Sequence, residues 1–371
     1  MKIGFDAKRF FHNKTGLGNY SRDLIRILST HYPKNTYFLY NPKHSFSYIS
    51  HSYNTKEIVP SGFWKKIKSL WRSIGIGLRL KKDNIKIFHG LSGEIPFFIP
   101  KHIKKIVTIH DLIFLRYPKL YNSLDRYIYY LKFKYAAQKA DKIVAISQQT
   151  KKDIITYLKI PEDKIIVIYQ GCADVFKKEY SDSEKQRVKE KFGLKNNFIL
   201  NVGTIEERKN ALQIVKAIEN IDTTLVLIGR KTEYFEKIKK YCTEKKYIDD
   251  KIIHLENVSF EELAIIYQLA TIFIYPSIFE GFGIPIIEAL YSKTPVITTN
   301  SGVFPEAGGP NSIYVNPNNT NEITRQIILL LQNENLRKEI IEKGYQYAQQ
   351  FSDSKIADEI QNLYKNLITI S

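Results

Sequence analysis

Cysteine is almost absent. Cys172 and Cys242 are the only two in 371 residues, too few for a disulfide framework or a cysteine-built metal cluster. No run approaches the roughly 18 uncharged apolar residues of a membrane-spanning helix. The start, Met1-Lys2-Ile3-Gly4-Phe5-Asp6, meets an acid too early for a signal peptide. Gly-Lys-Ser/Thr does not occur, so there is no phosphate loop of that kind. Acid is scarce in one half alone. Residues 1–170 carry 31 Lys and Arg against 11 Asp and Glu, a net of +20, and residues 171–371 carry 25 against 27. What is present is ordinary globular composition, 43% hydrophobic and 25% charged, with length for two or three domains. A soluble, cytoplasmic, two-domain protein is expected. Its basic half either faces an anionic partner, nucleic acid or a membrane surface, or is a solvated lysine-rich surface.

Short apolar, β-branched runs alternate with longer helical patterns. Strands are expected at 2–6, 36–40, 86–89, 106–110, 142–146 and 165–169, then at 198–202, 224–228, 252–255, 272–275, 295–298 and 312–315. Several, such as Ile272-Phe273-Ile274-Tyr275, are continuously apolar, the pattern of parallel strands covered on both faces. Helices are expected at 19–30, 124–140, 148–158 and 210–220. Ser259-Phe260-Glu261-Glu262 is a capping box and Ser147 an N-cap. Two successive βα sets predict two doubly wound α/β domains, with a boundary near 170–183 and helices alone after Asn321. Such sheets bind ligands beyond the carboxyl ends of their strands, so the loops there are the informative positions, with the cleft between the domains as the expected site.

Four such loops carry candidate chemistry. Thr15-Gly16-Leu17-Gly18-Asn19-Tyr20 lets backbone approach an oxygen-rich ligand or is a plain turn. Gly203 follows one strand and precedes the adjacent cations Arg208 and Lys209 at a helix start. There the macrodipole disfavours cations unless an anion such as a phosphate bridges them; the bland alternative is two solvated charges. In Ser277–Ala289 a strand end gives way to a glycine-rich turn and then a helix, with Glu280 in the turn, Phe282 and Gly283 after it, and Glu288 eight positions on. A helix start suits a diphosphate and carboxylates suit hydroxyls, which together describe a nucleotide sugar. His110 ends a strand of the basic half, where it either donates to a ligand hydroxyl or is a hydrogen-bonded structural histidine.

Gly16-Leu17-Gly18, His110-Asp111-Leu112, Val144-Ala145-Ile146-Ser147, Gly203 with Arg208-Lys209-Asn210, Gly229, and Glu280-Gly281-Phe282-Gly283 with Glu288 together resemble glycosyltransferase family 4, retaining enzymes of the GT-B fold. The opening Phe5-Asp6 and the run His110–Pro118 look most like bacterial mannosyltransferases of surface polysaccharide assembly. The resemblance implies two Rossmann-like domains facing a cleft: 1–175 on the acceptor side, completed by the C-terminal helix 353–371, and 176–352 binding the nucleotide sugar. It implies that Arg208 and Lys209 hold the donor diphosphate, that Gly16, Gly18 and Gly203 border it, and that Glu288 takes the ribose hydroxyls. Glu280 and the backbone at Phe282 and Gly283 would hold the donor sugar, and His110 would meet the transferred group. Asn19 stands where many relatives carry Arg. No cofactor or metal is implied, and no Asp-x-Asp occurs to hold one. The expected reaction moves a hexose, best assigned as mannose from GDP-mannose, to a glycan or lipid-linked acceptor. The alternatives are a UDP-sugar donor or a non-catalytic nucleotide-sugar-binding protein.

Residues 61–82 hold both tryptophans and seven cations without an acid. Phe63, Trp64, Ile67, Leu70, Trp71 and Ile74 are expected on one helical face, with Lys65, Lys66, Lys68 and Arg72 around it, as in an interfacial helix on an anionic membrane. The alternative is a helix packed on the domain core. A nucleic-acid partner explains only the charge, and no binding motif supports it.

Overall fold

The computed structural model describes residues 1–13, 15–44, 54–246 and 251–369. The last two residues of the expected helix 353–371 lie outside the described residues. The chain divides into two compact units, Met1–Gln170 with Ser352–Ser371, and Gly171–Phe351.

The N-terminal unit is built on a parallel sheet of β1 (Lys2–Asp6), β2 (Thr36–Tyr40), β3 (Thr55–Ile58), β4 (Ile87–Gly90), β5 (Lys104–Ile109), β6 (Lys142–Ala145) and β7 (Ile165–Val167), in the order β3-β2-β1-β4-β5-β6-β7. Strand side chains alternate between two cores. Ile3, Phe5, Tyr37 and Leu39 pack with Leu24, Ile25 and Leu28 of helix Gly16–His31 and Ile360 and Tyr364 of helix Asp353–Thr369. Phe38, Tyr40, Phe88 and Val107 pack on the opposite face with Trp71, Leu80, Ala136 and Ile154. Both faces are covered, which is why the strands are continuously apolar. The exception is β3, which is not among the expected strands: Thr55-Lys56-Glu57-Ile58 is a half-buried edge strand whose polar residues carry no core signal.

The C-terminal unit repeats the plan with β8 (Phe198–Val202), β9 (Thr224–Ile228), β10 (Ile252–Leu255), β11 (Ile272–Tyr275), β12 (Val296–Thr299) and β13 (Ile313–Val315), ordered β10-β9-β8-β11-β12-β13. In each sheet the winding reverses once, between β1 and β4 and between β8 and β11. That reversal leaves a crevice at the carboxyl ends of the two strands, where α/β sheets bind ligands. The caps read from sequence are formed: Ser147 accepts from Thr150 N, and Ser259 and Glu262 cap reciprocally.

Residues 61–82 are not the single amphipathic helix expected. A 3-10 turn (Gly62–Lys65), one α turn (Lys68–Leu70), a π turn (Trp71–Gly75) and an α-helix (Ile76–Lys82) succeed one another. Ile67 leaves helical geometry, and the longer repeat of the π turn rotates the helix after it. Trp71 and Arg72 were expected to face a membrane, and both turn inward instead. Trp71 is 3% exposed in the core beside Tyr40, and Arg72 is ion-paired to Asp6 and Glu94. Trp64 packs half-buried on the same core, against Gly75, where a Cβ would strike both indoles. Lys65, Lys66 and Lys68 are exposed; Phe63, at 71%, and Leu70 are exposed with them.

Candidate active site

The loops at the C-terminal unit's switch point are locked by a backbone contact that glycine alone permits. A Cβ on Gly229, which ends the β9 side at φ +150°, would lie 2.1 Å from the Gly203 carbonyl oxygen. Past Gly203 the chain forms the 3-10 turn Glu207–Lys209. Asn210 then takes a left-handed conformation and helix Ala211–Ala217 begins. Arg208 and Lys209 therefore precede the helix by a turn rather than opening it. The Asn210 amide donates to Pro317 O (2.7 Å), tying the turn down.

The loop after β11 meets this turn. Ile278 N donates to Arg208 O (2.8 Å), and Arg208 Nη1 donates to Phe279 O (3.2 Å). Glu280 then brings both cations to one atom: its Oε1 lies 2.7 Å from Arg208 Nη1 and 2.5 Å from Lys209 Nζ. The Tyr275 hydroxyl donates to the same oxygen at 3.0 Å and accepts from Lys209. Arg208 also pairs with Glu206 at 2.8 Å. Burial pushes the Glu280 carboxyl up, but Lys209 and Arg208 outweigh it and hold the group below the usual carboxylate range. Lys209 is only 9% exposed. The cations read as diphosphate ligands and the carboxylate read as a sugar ligand form one interlocked cluster.

Gly283 closes the turn and helix Ile284–Tyr291 comes next, with Pro285 in its first turn. The Phe282 side chain is buried against Phe351. Glu288, 7% exposed, accepts from the Tyr267 hydroxyl at 3.0 Å. Burial pushes its carboxyl up to about 7, against the pull of the Tyr267 bond and the Lys209 charge. Tyr267 and Tyr275 were missed as site residues, because in sequence each is one more aromatic in an apolar run.

In the N-terminal unit Gly16 is the first residue of helix Gly16–His31 and has open space where a Cβ would stand. Gly18 is required for packing: a Cβ would lie 1.8 Å from the Asn13 carbonyl oxygen. Arg22 binds the carbonyls of Phe10 and Asn13 and the Asn19 side chain, and so fastens the loop. His110 is buried at the end of β5, with Nε2 2.9 Å from Leu91 O. A carbonyl only accepts, so Nε2 holds the proton and Nδ1 is an acceptor. Burial pushes the ring down to about 4, so it is neutral. His110 is thus set to accept from a hydroxyl, where the sequence had suggested a donor. Its ring stands edge-on to Tyr20, whose hydroxyl contacts Thr108 (3.3 Å), itself bonded to the buried His89 (2.8 Å). Among the described residues no three His, Cys, Asp or Glu side chains gather to hold a metal ion, and no helix is long and apolar enough to cross a membrane.

Comparison with known proteins divides along the same two units. Residues 15–173 match the model of Glycosyltransferase Family 4, and residues 182–347 match that of Glycosyl transferases group 1. The chain is 26% identical over 390 residues to O-antigen chain mannosyltransferase B of Escherichia coli, covering 99% of this chain and 100% of that one. It is 30% identical over 273 residues to an uncharacterized glycosyltransferase of Methanocaldococcus jannaschii, covering 71% of this chain and 69% of that one. The crystal structure of a glycosyltransferase from Rickettsia africae superposes with a TM-score of 0.80 at 23% identity, covering 100% of this chain and 99% of that one. The fold, two doubly wound parallel sheets, is GT-B. Both halves match, and the archaeal relative reaches 30% identity over most of its length, so the chain belongs to the family 4, group 1 glycosyltransferases.

Proposed function

We propose that the chain is a retaining, metal-independent hexosyltransferase. It moves mannose from GDP-mannose to a hydroxyl of a glycan or lipid-linked acceptor, in the synthesis of bacterial polysaccharide or lipopolysaccharide. The observation that carries this reading is the Arg208–Lys209–Glu280–Tyr275 cluster at the β8/β11 switch point. A nucleoside diphosphate leaving group needs positive charge that is fixed before reaction, in a place poor in water, where it acts most strongly. Arg208 and Lys209 supply it. When a donor binds, its diphosphate takes over these cations and Glu280 is released to the sugar hydroxyls, while Glu288 accepts from the ribose. The bond from the anomeric carbon to the diphosphate breaks, the acceptor oxygen bonds to that carbon on the same face, and its proton leaves with the diphosphate. In the N-terminal unit His110 Nδ1 serves as acceptor for a sugar hydroxyl. Mannose is favoured by the full-length likeness to an O-antigen mannosyltransferase.

Peripheral attachment to the inner face of the cytoplasmic membrane, through the basic N-terminal unit, belongs to the same proposal. Its contacts are Phe63 and Leu70 among Lys65, Lys66 and Lys68, together with Leu124, Tyr127 and Ile128 on helix Ser123–Lys139, all exposed. Exposed apolar groups beside cations suit an anionic bilayer. The deciding experiment is a donor screen across GDP-, UDP- and ADP-sugars, scored by nucleotide release with and without a lipid-linked acceptor. Release from GDP-mannose is expected; release from none of them overturns the reading.

A further inference from the structure

The N-terminal unit has its own switch point, between β1 and β4, which the proposed reaction leaves unused. Asp6 ends β1, and Glu94 stands four residues beyond β4. Arg72 joins them: Nη2 lies 2.7 Å and Nε 2.8 Å from Asp6 Oδ2, and Nη1 lies 2.6 Å from Glu94 Oε2. Asp6 is 6% exposed, and the other two side chains are largely buried. Burying such a triad removes three charges from water, and an apolar trio of similar volume usually stabilises a fold as well or better. Stability alone is a poor account of it.

Two further observations point to a ligand. Arg72 is carried by the π turn Trp71–Gly75, a rare conformation that recurs at functional sites. The cluster also holds cations beyond what its acids neutralise. Lys8 N donates to Asp6 Oδ1 (3.2 Å). The amine of Lys8, an exposed residue, is pushed below its ordinary value by partial desolvation, Arg72 and Arg9, which outweigh Glu94 and Asp6. Lys132 reaches Glu94 Oε1 at 3.5 Å. Arg9 Nε is buried without a hydrogen-bond partner, and the Arg9 charge is felt at His110. The array therefore runs carboxylate, guanidinium, carboxylate, with the Lys132 ammonium on Glu94 and with Lys8 and Arg9 following Asp6 closely in the chain. A simple anion would meet two carboxylates, and a metal ion would meet Arg72. Vicinal hydroxyls of a pyranose, each both donor and acceptor, fit alternating acceptors and donors.

We infer that Asp6, Arg72 and Glu94 form a saccharide-binding site that takes hydroxyls of the acceptor glycan, with Lys8 and Arg9 at its edge. Naming the ligand as acceptor rests on the transferase reading; the saccharide site itself does not.

The test titrates the full chain with methyl α-mannopyranoside, methyl β-glucopyranoside and α-1,3-mannobiose, read by saturation-transfer NMR, beside calorimetric titration with GDP and near-ultraviolet circular dichroism. At least one of the saccharides is expected to bind. Glu94→Gln and Arg72→Lys should each weaken it tenfold or more, and Lys8→Ala, at an exposed position that cannot unfold the core, by a few-fold, with GDP affinity unchanged in all three. Saccharide binding that is unaltered in the variants, or undetectable for all three sugars in the unsubstituted chain, overturns the inference. Saccharide binding that depends on the triad in a chain that turns over no nucleotide sugar upholds the site and removes the transferase reading alone.

Discussion

Lys209 Nζ and Glu280 Oε1 stand 2.5 Å apart, one from the loop after β8 and the other from the loop after β11. The pair joins the two sides of the crevice. On the proposed reading, in which these cations take the donor diphosphate, the diphosphate has to displace a carboxylate.

That competition predicts opposite effects on nucleotide binding. Arg208→Ala and Lys209→Ala should each weaken GDP binding by about 1.5–3 kcal/mol, the cost of a charged hydrogen bond. Glu280→Gln removes the competing charge, so GDP should bind equally well or more tightly while kcat falls, because the lost contact is to the reacting sugar. Calorimetry with GDP and steady-state kinetics check both. Weaker GDP binding in Glu280→Gln would end the competition model.

Glu288 gives a pH prediction with a definite sign. Its folded carboxyl titrates near 7 because it is buried, above the ordinary value near 4.5. The fold therefore holds the proton more tightly than the unfolded chain does. Stability from this group is complete below about 4.5 and is lost as pH rises to 7, by roughly 3 kcal/mol. Glu288→Gln should then raise the unfolding temperature at pH 8 and change it little at pH 4. Ribose hydroxyls need the carboxylate as acceptor, so GDP affinity of the unsubstituted chain should rise between pH 6 and 8, with a gentler slope in Glu288→Gln. Parallel slopes in the two proteins would remove Glu288 from the nucleotide site.

What could be read from sequence tracked the strength of the pattern. Strands buried on both faces announce themselves by unbroken apolar runs, and twelve were placed within about two residues. β3 was missed because an edge strand has little to bury. The Glu280 and Arg208-Lys209 loops were legible because cations and carboxylates beside glycines at strand ends have few structural uses. Their mutual ion pair was not, since a parallel sheet brings β8 beside β11 from 70 residues away. Tyr275 and Tyr267 were hidden for the opposite reason: their rings belong to the core and only their hydroxyls reach the site. Trp71 misled because apolar spacing shows which residues share a face and not what covers it: Trp64 and Trp71 do share one, and the domain core lies against it.

Turnover should survive EDTA. Arg208 and Lys209 bring the leaving diphosphate the charge that a divalent ion supplies elsewhere. Release of nucleotide from GDP-mannose in the presence of chelator is the measurement; complete loss, restored by magnesium or manganese, would reassign that role to a metal.

Membrane docking now rests on only part of the set that the sequence brought forward. Trp71 is core and Arg72 is paired to Asp6 and Glu94, so neither is available to lipid. Lys65, Lys66 and Lys68 remain, each adding about 1 kcal/mol near an anionic bilayer at modest salt, with Phe63 and Leu70 to enter the headgroup layer. Sedimentation with phosphatidylglycerol vesicles should show binding that falls with salt. The triple change Lys65→Glu, Lys66→Glu, Lys68→Glu should abolish it, and Phe63→Ser should weaken it, both without loss of near-ultraviolet circular dichroism. Trp71→Ala is expected to act differently. It empties a buried indole site and costs about 3–5 kcal/mol of stability, so lipid binding should persist wherever the chain stays folded. Vesicle binding that ignores lipid charge and the lysine triple would separate the basic half from any membrane role and leave a soluble glycan as the acceptor.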